Sequence, residues 1–279
     1  MPRYLAIAGL LMAAVNSLPA RSQTPSPLQE WQYSGGIVLQ KLFESEVPEW
    51  QIATGLAVEA QPLYAGSSTY REQPGPVIDV RYRDIAFASV GEGLGVNILR
   101  GDNYRAGMSI GYDLGREASH DLPHLKGMGD ISSAPVVKLF ASYAISKAMP
   151  LVFHMDVRQW VGGANGVTGD FSIFAPLPGS SETLVMFAGP SITLSTRLHM
   201  QSEYGVDRNQ ALASGYPYYM AHGGAEAAGF GFSVTRFFGK HWFANANLAA
   251  SRLLGSATNS PIAQNHLQGV AALSGAYRW

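Results

Sequence analysis

Of the 279 residues 47% are hydrophobic and only 14% are charged, and the formal net charge is -1. That leaves no basic field for nucleic acid, and the absence of cysteine excludes a disulfide scaffold, a thiolate metal site and a Cys nucleophile. A typical soluble domain carries roughly 25% charged residues, so the chain is apolar for its charge. Past the N-terminus, however, Gly, Ser, Asn and Arg interrupt every apolar run before the ~18 residues that a spanning helix needs. Apolar residues dispersed on one face of many strands, as in a membrane barrel, satisfy both facts.

In chain order, Arg3 precedes an apolar stretch from Leu5 to Val15, followed by Ser17, Pro19 and Ala20. This reads as a cleaved export signal over 1–22, with 23–279 as one barrel domain. Beyond it the period is two. Ile78, Val80 and Tyr82 alternate with Asp79, Arg81 and Arg83. Tyr104, Ala106, Met108, Ile110, Tyr112 and Leu114 alternate with Arg105, Gly107, Ser109, Gly111 and Asp113. The same holds for Val137–Ile145 against Lys138, Phe140 and Ser142, and for Leu151–Val157 against His154, Asp156 and Arg158. It holds again for Phe230–Val234, and for Trp242–Leu248 against Phe243, Asn245 and Asn247.

A soluble sandwich also alternates. Here the polar face is rich in Gly, Ser, Thr and Asn. Aromatics recur near strand ends at Tyr82, Tyr104, Tyr143, Trp160, Trp242, Tyr277 and Trp279, as interface girdles require. The expectation is an all-β, transmembrane, antiparallel up-and-down barrel of 10–12 strands, with 12 favoured. Candidate strands fall near 31–40, 50–60, 76–88, 93–100, 104–114, 134–146, 149–158, 166–173, 183–194, 226–238, 241–251 and 268–279. Joints 101–103, 147–148 and 239–240 fit short turns, while 115–133, 195–225 and 252–267 fit long loops. Joint 61–75 is long where a turn belongs, and 89–92 is short where a loop is allowed. The chain ends with Tyr277 and Trp279, which fits the aromatic-terminated last strand that the outer-membrane assembly machinery reads.

Several blocks carry a resemblance. They are Gln61–Ser67 with Tyr70-Arg71 and Pro74–Asp79, then Gly93–Asn97, Gly111–Arg116 and Leu125–Ile131. Ala188–Ser191, Tyr204–Val206, Ala213–Tyr216, Arg252–Gly255 and Ser260–Ile262 follow in order. From about residue 28 onward the chain resembles the MipA/OmpV family. The resemblance implies a Gram-negative outer-membrane barrel without enzymatic activity or cofactor. It also implies a scaffold role between a lytic murein transglycosylase and a murein synthase, with outer-membrane lipid around the wall. A narrow diffusion channel and a surface adhesin are the alternatives.

Three sets of residues are candidates for function. Tyr64, Tyr70 and Arg71, in the long joint, are packing residues at the membrane interface, partner contacts of the kind favoured at interfaces, or part of an inward-folded constriction. Asp79, Arg81, Arg83, Arg105, Asp113, Lys138, His154, Asp156 and Arg158 share the polar face and are expected to face the lumen. There they either fill a narrow barrel with salt bridges or line a selective pore. His120, Asp121, His124 and Asp130 read as a solvated loop rather than a metal or hydrolytic site.

Overall fold

The computed structural model describes residues 48–145 and 151–279. The expected signal segment, the strand near 31–40 and the turn at 147–148 lie outside them. The strands are β1 (Trp50–Pro62), β2 (Tyr70–Tyr82), β3 (Ala86–Ser89), β4 (Gly93–Arg100), β5 (Tyr104–Asp113) and β6 (Ala134–Ala144). They continue as β7 (Val152–Trp160), β8 (Val167–Pro176), β9 (Leu184–Ser195), β10 (Gly224–Phe238), β11 (Trp242–Leu253) and β12 (Leu267–Arg278). Each pairs antiparallel with its sequence neighbours, and β1 closes on β12 from Ala53 opposite Arg278 to Ala60 opposite Ala271. Closure completes the ring, as strands in hydrocarbon require, except that the short β3 pairs with β2 only from Asp79 to Tyr82 and leaves β2 from Tyr70 to Val77 without a strand on that side. Among the described residues no helix is long and apolar enough to cross a membrane.

The period-two pattern sorts the side chains. Leu56, Leu94, Ile98, Leu139, Phe230, Leu248 and Leu273 stand exposed on the outer wall, an arrangement stable only against lipid. Tyr104, Tyr143, Trp242 and Trp279 ring the wall at the end holding the chain's C-terminus, and Tyr70 and Tyr112 mark the other end. Trp160, expected in a girdle, instead points inward and is buried; its indole Nε1 donates to Asp113 Oδ2 at 2.5 Å.

Two of the expected strands change. The run 76–88 is a hairpin, β2 and β3, whose turn places Arg83 and Asp84 at φ 48° and 49°, with Ile85 N donating to Tyr82 O at 2.7 Å. Two positive φ values in a row are the type I′ pattern, usually signalled by Asn-Gly. Here Arg-Asp hides it, and contacts hold it: Asn97 Nδ2 donates to Asp84 O at 2.7 Å and Arg100 Nη1 to Arg83 O at 2.8 Å. The residues 61–75 are mostly strand, because β1 runs to Pro62 and β2 starts at Tyr70. The connection 63–69 lies at the same end as 114–133, 196–223 and 254–266, opposite the short turns.

At that loop end the long connections fold into a cap. It contains α1 (Leu122–Leu125), α2 (Arg197–Tyr204), α3 (Arg208–Ser214) and α4 (Gly255–Thr258). The sequence starts α3 with a reciprocal capping box, in which Gln210 N donates to Asp207 Oδ1 and Asp207 N to Gln210 Oε1, both at 2.8 Å. Gly215 at φ 82° ends it in the left-handed conformation a Cβ disfavours. Two apolar clusters hold the cap together. One joins Tyr64, Leu125, Met128, Val206 and Ile262, and the other joins Met200, Tyr204, Ala221, Leu253 and Ala257.

Candidate functional site

The interior is layered. Toward the turn end, Phe87, Phe140, Phe174, Phe187 and Phe243 are buried on the inner wall, with Phe237 packed against them. Phe140 and Phe243 fall on the polar parity of their strands, so the alternation alone could have flagged this plug. A charged belt meets it on one side of the lumen, where Arg81 stands opposite Phe87 and Asp156 opposite Phe140 on neighbouring strands. Arg81, 1% exposed, bonds Asp79 through Nε and Nη2, both at 2.9 Å, and also pairs with Glu92. Arg158 Nε lies 3.0 Å from Asp156 Oδ1 and Nη1 3.5 Å from Asp170 Oδ2. Thr193 Oγ1 donates to Asp170 at 2.5 Å. The opposite side of the lumen is neutral, with Asn245 Nδ2 donating to Thr235 Oγ1 at 2.8 Å and bonding Asn247.

The predicted site residues are placed as follows. Asp79, Arg81, Arg105, Asp113, Lys138, His154, Asp156 and Arg158 all lie on the inner wall. Arg83 does not; it sits in the β2–β3 turn, more than half exposed, and pairs with Glu49 at 2.7 Å. The strand ends one residue before it, so its parity no longer decides its side. Tyr64, Tyr70 and Arg71 point in three directions. Tyr64 is buried in the cap under Arg116, with its phenol pushed up in pKa by burial and by Asp121, which Arg116 opposes. Tyr70 lies on the outer wall, where its hydroxyl accepts from Gly269 N at 2.9 Å. Arg71 points into the lumen, where Glu59 is its charge neighbour. They share no common contact surface.

The loop histidines hold local bonds. His124 Nδ1 lies 2.8 Å from Asp121 Oδ1, His120 Nε2 lies 3.3 Å from Glu117, and Asp130 Oδ1 accepts from Ala118 N at 2.7 Å. No group of three metal-ligating side chains occurs among the described residues. Ser142, His154 and Asp156 do line up as hydroxyl, imidazole and carboxylate, with Ser142 Oγ to His154 Nδ1 at 2.7 Å and His154 Nε2 to Asp156 Oδ2 at 3.5 Å. The contacts follow from a cross-strand pair, Ser142 opposite His154, and Asp156 is already held by Arg158.

Between belt and cap lies a cavity of about 200 Å³ lined by Asp113, Arg116, Trp160, Glu203, Tyr204 and Glu226. Sequence reading placed Tyr204 in a family block but did not single out Glu203 or Glu226. Tyr204 OH donates to Glu226 Oε1 at 2.9 Å, and Arg116 Nη1 donates to Glu203 O at 2.8 Å. Burial raises the Glu203 carboxyl above the usual range, with Arg116 opposing. Burial and Glu226 together raise the Tyr204 phenol.

These features define a class, a closed, loop-capped, antiparallel β-barrel with a lipid-facing wall and a charged, filled interior. The sequence profile of the MltA-interacting protein MipA family matches residues 54–279. The chain belongs to that family.

No curated protein matches the sequence significantly. Among solved structures, the outer membrane protein OprD from Pseudomonas aeruginosa is 12% identical with a TM-score of 0.36, covering 81% of this chain and 65% of OprD. The chain therefore spans a little under two thirds of OprD. The CymD monoaromatic hydrocarbon channel is 8% identical with a TM-score of 0.43, covering 88% of this chain and 96% of CymD. The Pseudomonas putida toluene transporter TodX is 11% identical at a TM-score of 0.27, covering 84% and 68%. These likenesses are of barrel architecture, which the hydrogen-bonded closure already establishes.

Proposed function

We propose that the protein is an exported outer-membrane barrel, freed of residues 1–22, that acts as a non-enzymatic scaffold for murein-processing enzymes. The observation that carries this reading is the filled interior. Arg81, Asp156, Asp170 and Thr235, on different sides of the lumen, are each at most 2% exposed, and the cap covers the loop end. A closed, rigid frame suits holding a partner better than passing solute. The family name supplies the partner class, a lytic murein transglycosylase, with a murein synthase as the second member.

Short turns face the periplasm in such barrels, so the contact surface falls at the turn end. There Trp50, Arg83, Arg100, Lys240 and His241 stand exposed around the rim. Tyr64, Tyr70 and Arg71 are at the other end and serve the cap and wall in this reading.

The test is a pull-down of a purified lytic murein transglycosylase by the full chain in detergent. A variant carrying Arg83→Glu, Arg100→Glu and Lys240→Glu is expected to lose capture, while alanines at Tyr70 and Arg71 keep it. Equal capture by both variants would reject the turn-end surface, and no capture by the wild type would reject the scaffold. The channel reading is tested separately in a planar bilayer, where the closed interior predicts no steady single-channel steps.

A further inference from the structure

On β10 the alternation alone would put Glu226 on the outer wall. Phe230 stands exposed there, in step with Phe232 and Val234, while Gly231, Ser233 and Thr235 are buried on the inner side. A bulge reverses this for Glu226. Ala225 lies opposite Leu194 of β9 and Ala227 opposite Thr193, so Glu226 is the extra residue between them. Bulges re-aim side chains and recur beside functional sites. Here the bulge turns the carboxylate into the cavity under the cap, where it accepts from Ser195 Oγ and from Tyr204 OH, the latter at 2.9 Å.

Both of those partners are neutral, and among the described residues no cation pairs with Glu226. The guanidiniums of the cavity are committed elsewhere. Arg158 is shared by Asp156 and Asp170, and Arg116 bonds the Glu203 carbonyl with the Glu203 carboxylate 3.8 Å away. The lining as a whole sets Asp113, Asp170, Glu203 and Glu226 against Arg116 and Arg158. A carboxylate can accept about four hydrogen bonds, so Glu226 keeps both acceptor capacity and uncompensated charge.

A second group is open at the same place. Thr168 of β8 is 4% exposed and lines the cavity, and its Oγ1 has no hydrogen-bond partner. Thr168 stands directly across from Ser195, the residue that donates to Glu226, and side chains so paired have Cβ atoms ~5 Å apart. A water can satisfy the hydroxyl but not the charge. An ammonium group, with three donors and a positive charge, satisfies both.

The cavity of about 200 Å³ exceeds the ~150 Å³ that admits benzene. No group of three metal-ligating side chains occurs among the described residues, so the space suits a molecule better than a bare ion. Ala227, Leu253 and Val270 form an apolar side, and Trp160 and Tyr204 add aromatic rings of the kind that attract cations.

We propose that this cavity binds a small organic amine in its protonated form, the ammonium held between Glu226 and Thr168 and the apolar body against Ala227, Leu253 and Val270. Glu226 belongs to the wall and Tyr204 to α2, so the occupant ties the cap to the barrel. The site is separate from the turn-end surface of the scaffold reading.

The probe is benzylamine, titrated calorimetrically into the full chain in nonionic detergent, with benzyl alcohol as the neutral analogue. Saturable binding of one amine per chain is expected, with the alcohol at least about tenfold weaker. Glu226→Gln keeps the shape and removes the charge, and is expected to erase the preference for amine over alcohol. Thr168→Val is nearly isosteric and is expected to weaken the amine about tenfold, as loss of a hydrogen bond to a charged group does. Met155→Trp, on the outer wall, is expected to change nothing. Heat-modifiable migration on gels checks that each variant keeps the barrel, and Thr168→Val carries the test should Glu226→Gln misfold. Hydrogen exchange of α2 is expected to slow when the amine saturates. Absence of saturable binding, equal binding of the alcohol by the wild type, an unchanged preference in folded Glu226→Gln, or unaltered exchange of α2 would overturn the proposal.

Discussion

Glu203 shows how the cap responds to pH. Its carboxyl is raised by burial, so the folded state favours the protonated form. The stability this contributes is fully present below the ordinary carboxylate pKa and is lost as pH rises through the higher folded value. Protection of α2 and α3 against hydrogen exchange is therefore expected to fall over that rise, and Glu203→Gln is expected to flatten the profile; an unchanged slope would count against this assignment. Arg81 sits in the opposite kind of place. It is the shared cation of Asp79 and Glu92, and removing it leaves two carboxylates facing each other out of water. Arg81→Met is expected to cost about 3–5 kcal/mol in urea unfolding. Adding Asp79→Asn and Glu92→Gln to that variant should recover much of the loss, because the cost lies in stranded charge rather than in lost volume.

At the level of elements, the prolines of β2 make the sharpest case. They keep two N–H groups off an edge that has no neighbouring strand, and such an edge is a template for pairing with another chain. Replacing Pro74 and Pro76 together by Val restores both donors and strand propensity, so the variant is expected to form dimers that resist unheated SDS gels while the wild type stays monomeric. The same prolines explain why part of the fold was hard to read. Most strands were legible from period two because one face meets lipid and the other does not, and this held for β5 through β12 to within a few residues. Pro62, Pro74 and Pro76 looked like punctuation of a connection, although an edge strand accepts them. The β2–β3 turn was hidden for a different reason: Arg83 and Asp84 occupy φ values that sequence patterns associate with Asn and Gly, and they are held there by Asn97 and Arg100 from a neighbouring strand. Long-range support of a turn leaves no local signal.

For the whole molecule, what alternation shows is which side of the wall a residue faces, not what it meets there. Asp79, Arg81 and Arg158 could be placed inside from their parity, but Glu92, Glu203 and Glu226 come to the interior from a hairpin tip, a cap helix and a strand bearing a bulge, where parity breaks. The last residue is a case in which position and role can be separated. Trp279 is 72% exposed, and its N donates to Ile52 O at 3.0 Å across the β1–β12 closure. Its ring meets Tyr277 edge-on at 4.9 Å, and Tyr277 in turn packs on Trp242. The backbone bond survives any side chain, so truncating an exposed ring at the end of the last strand removes little from the folded barrel. If Tyr277 and Trp279 are read by the assembly machinery, the loss falls on delivery instead. Trp279→Ala is then expected to refold in detergent with a urea stability within about 0.5 kcal/mol of wild type, while its yield in outer-membrane fractions drops severalfold. Equal yield with lowered stability would make Trp279 a structural clasp of the closure and not a signal.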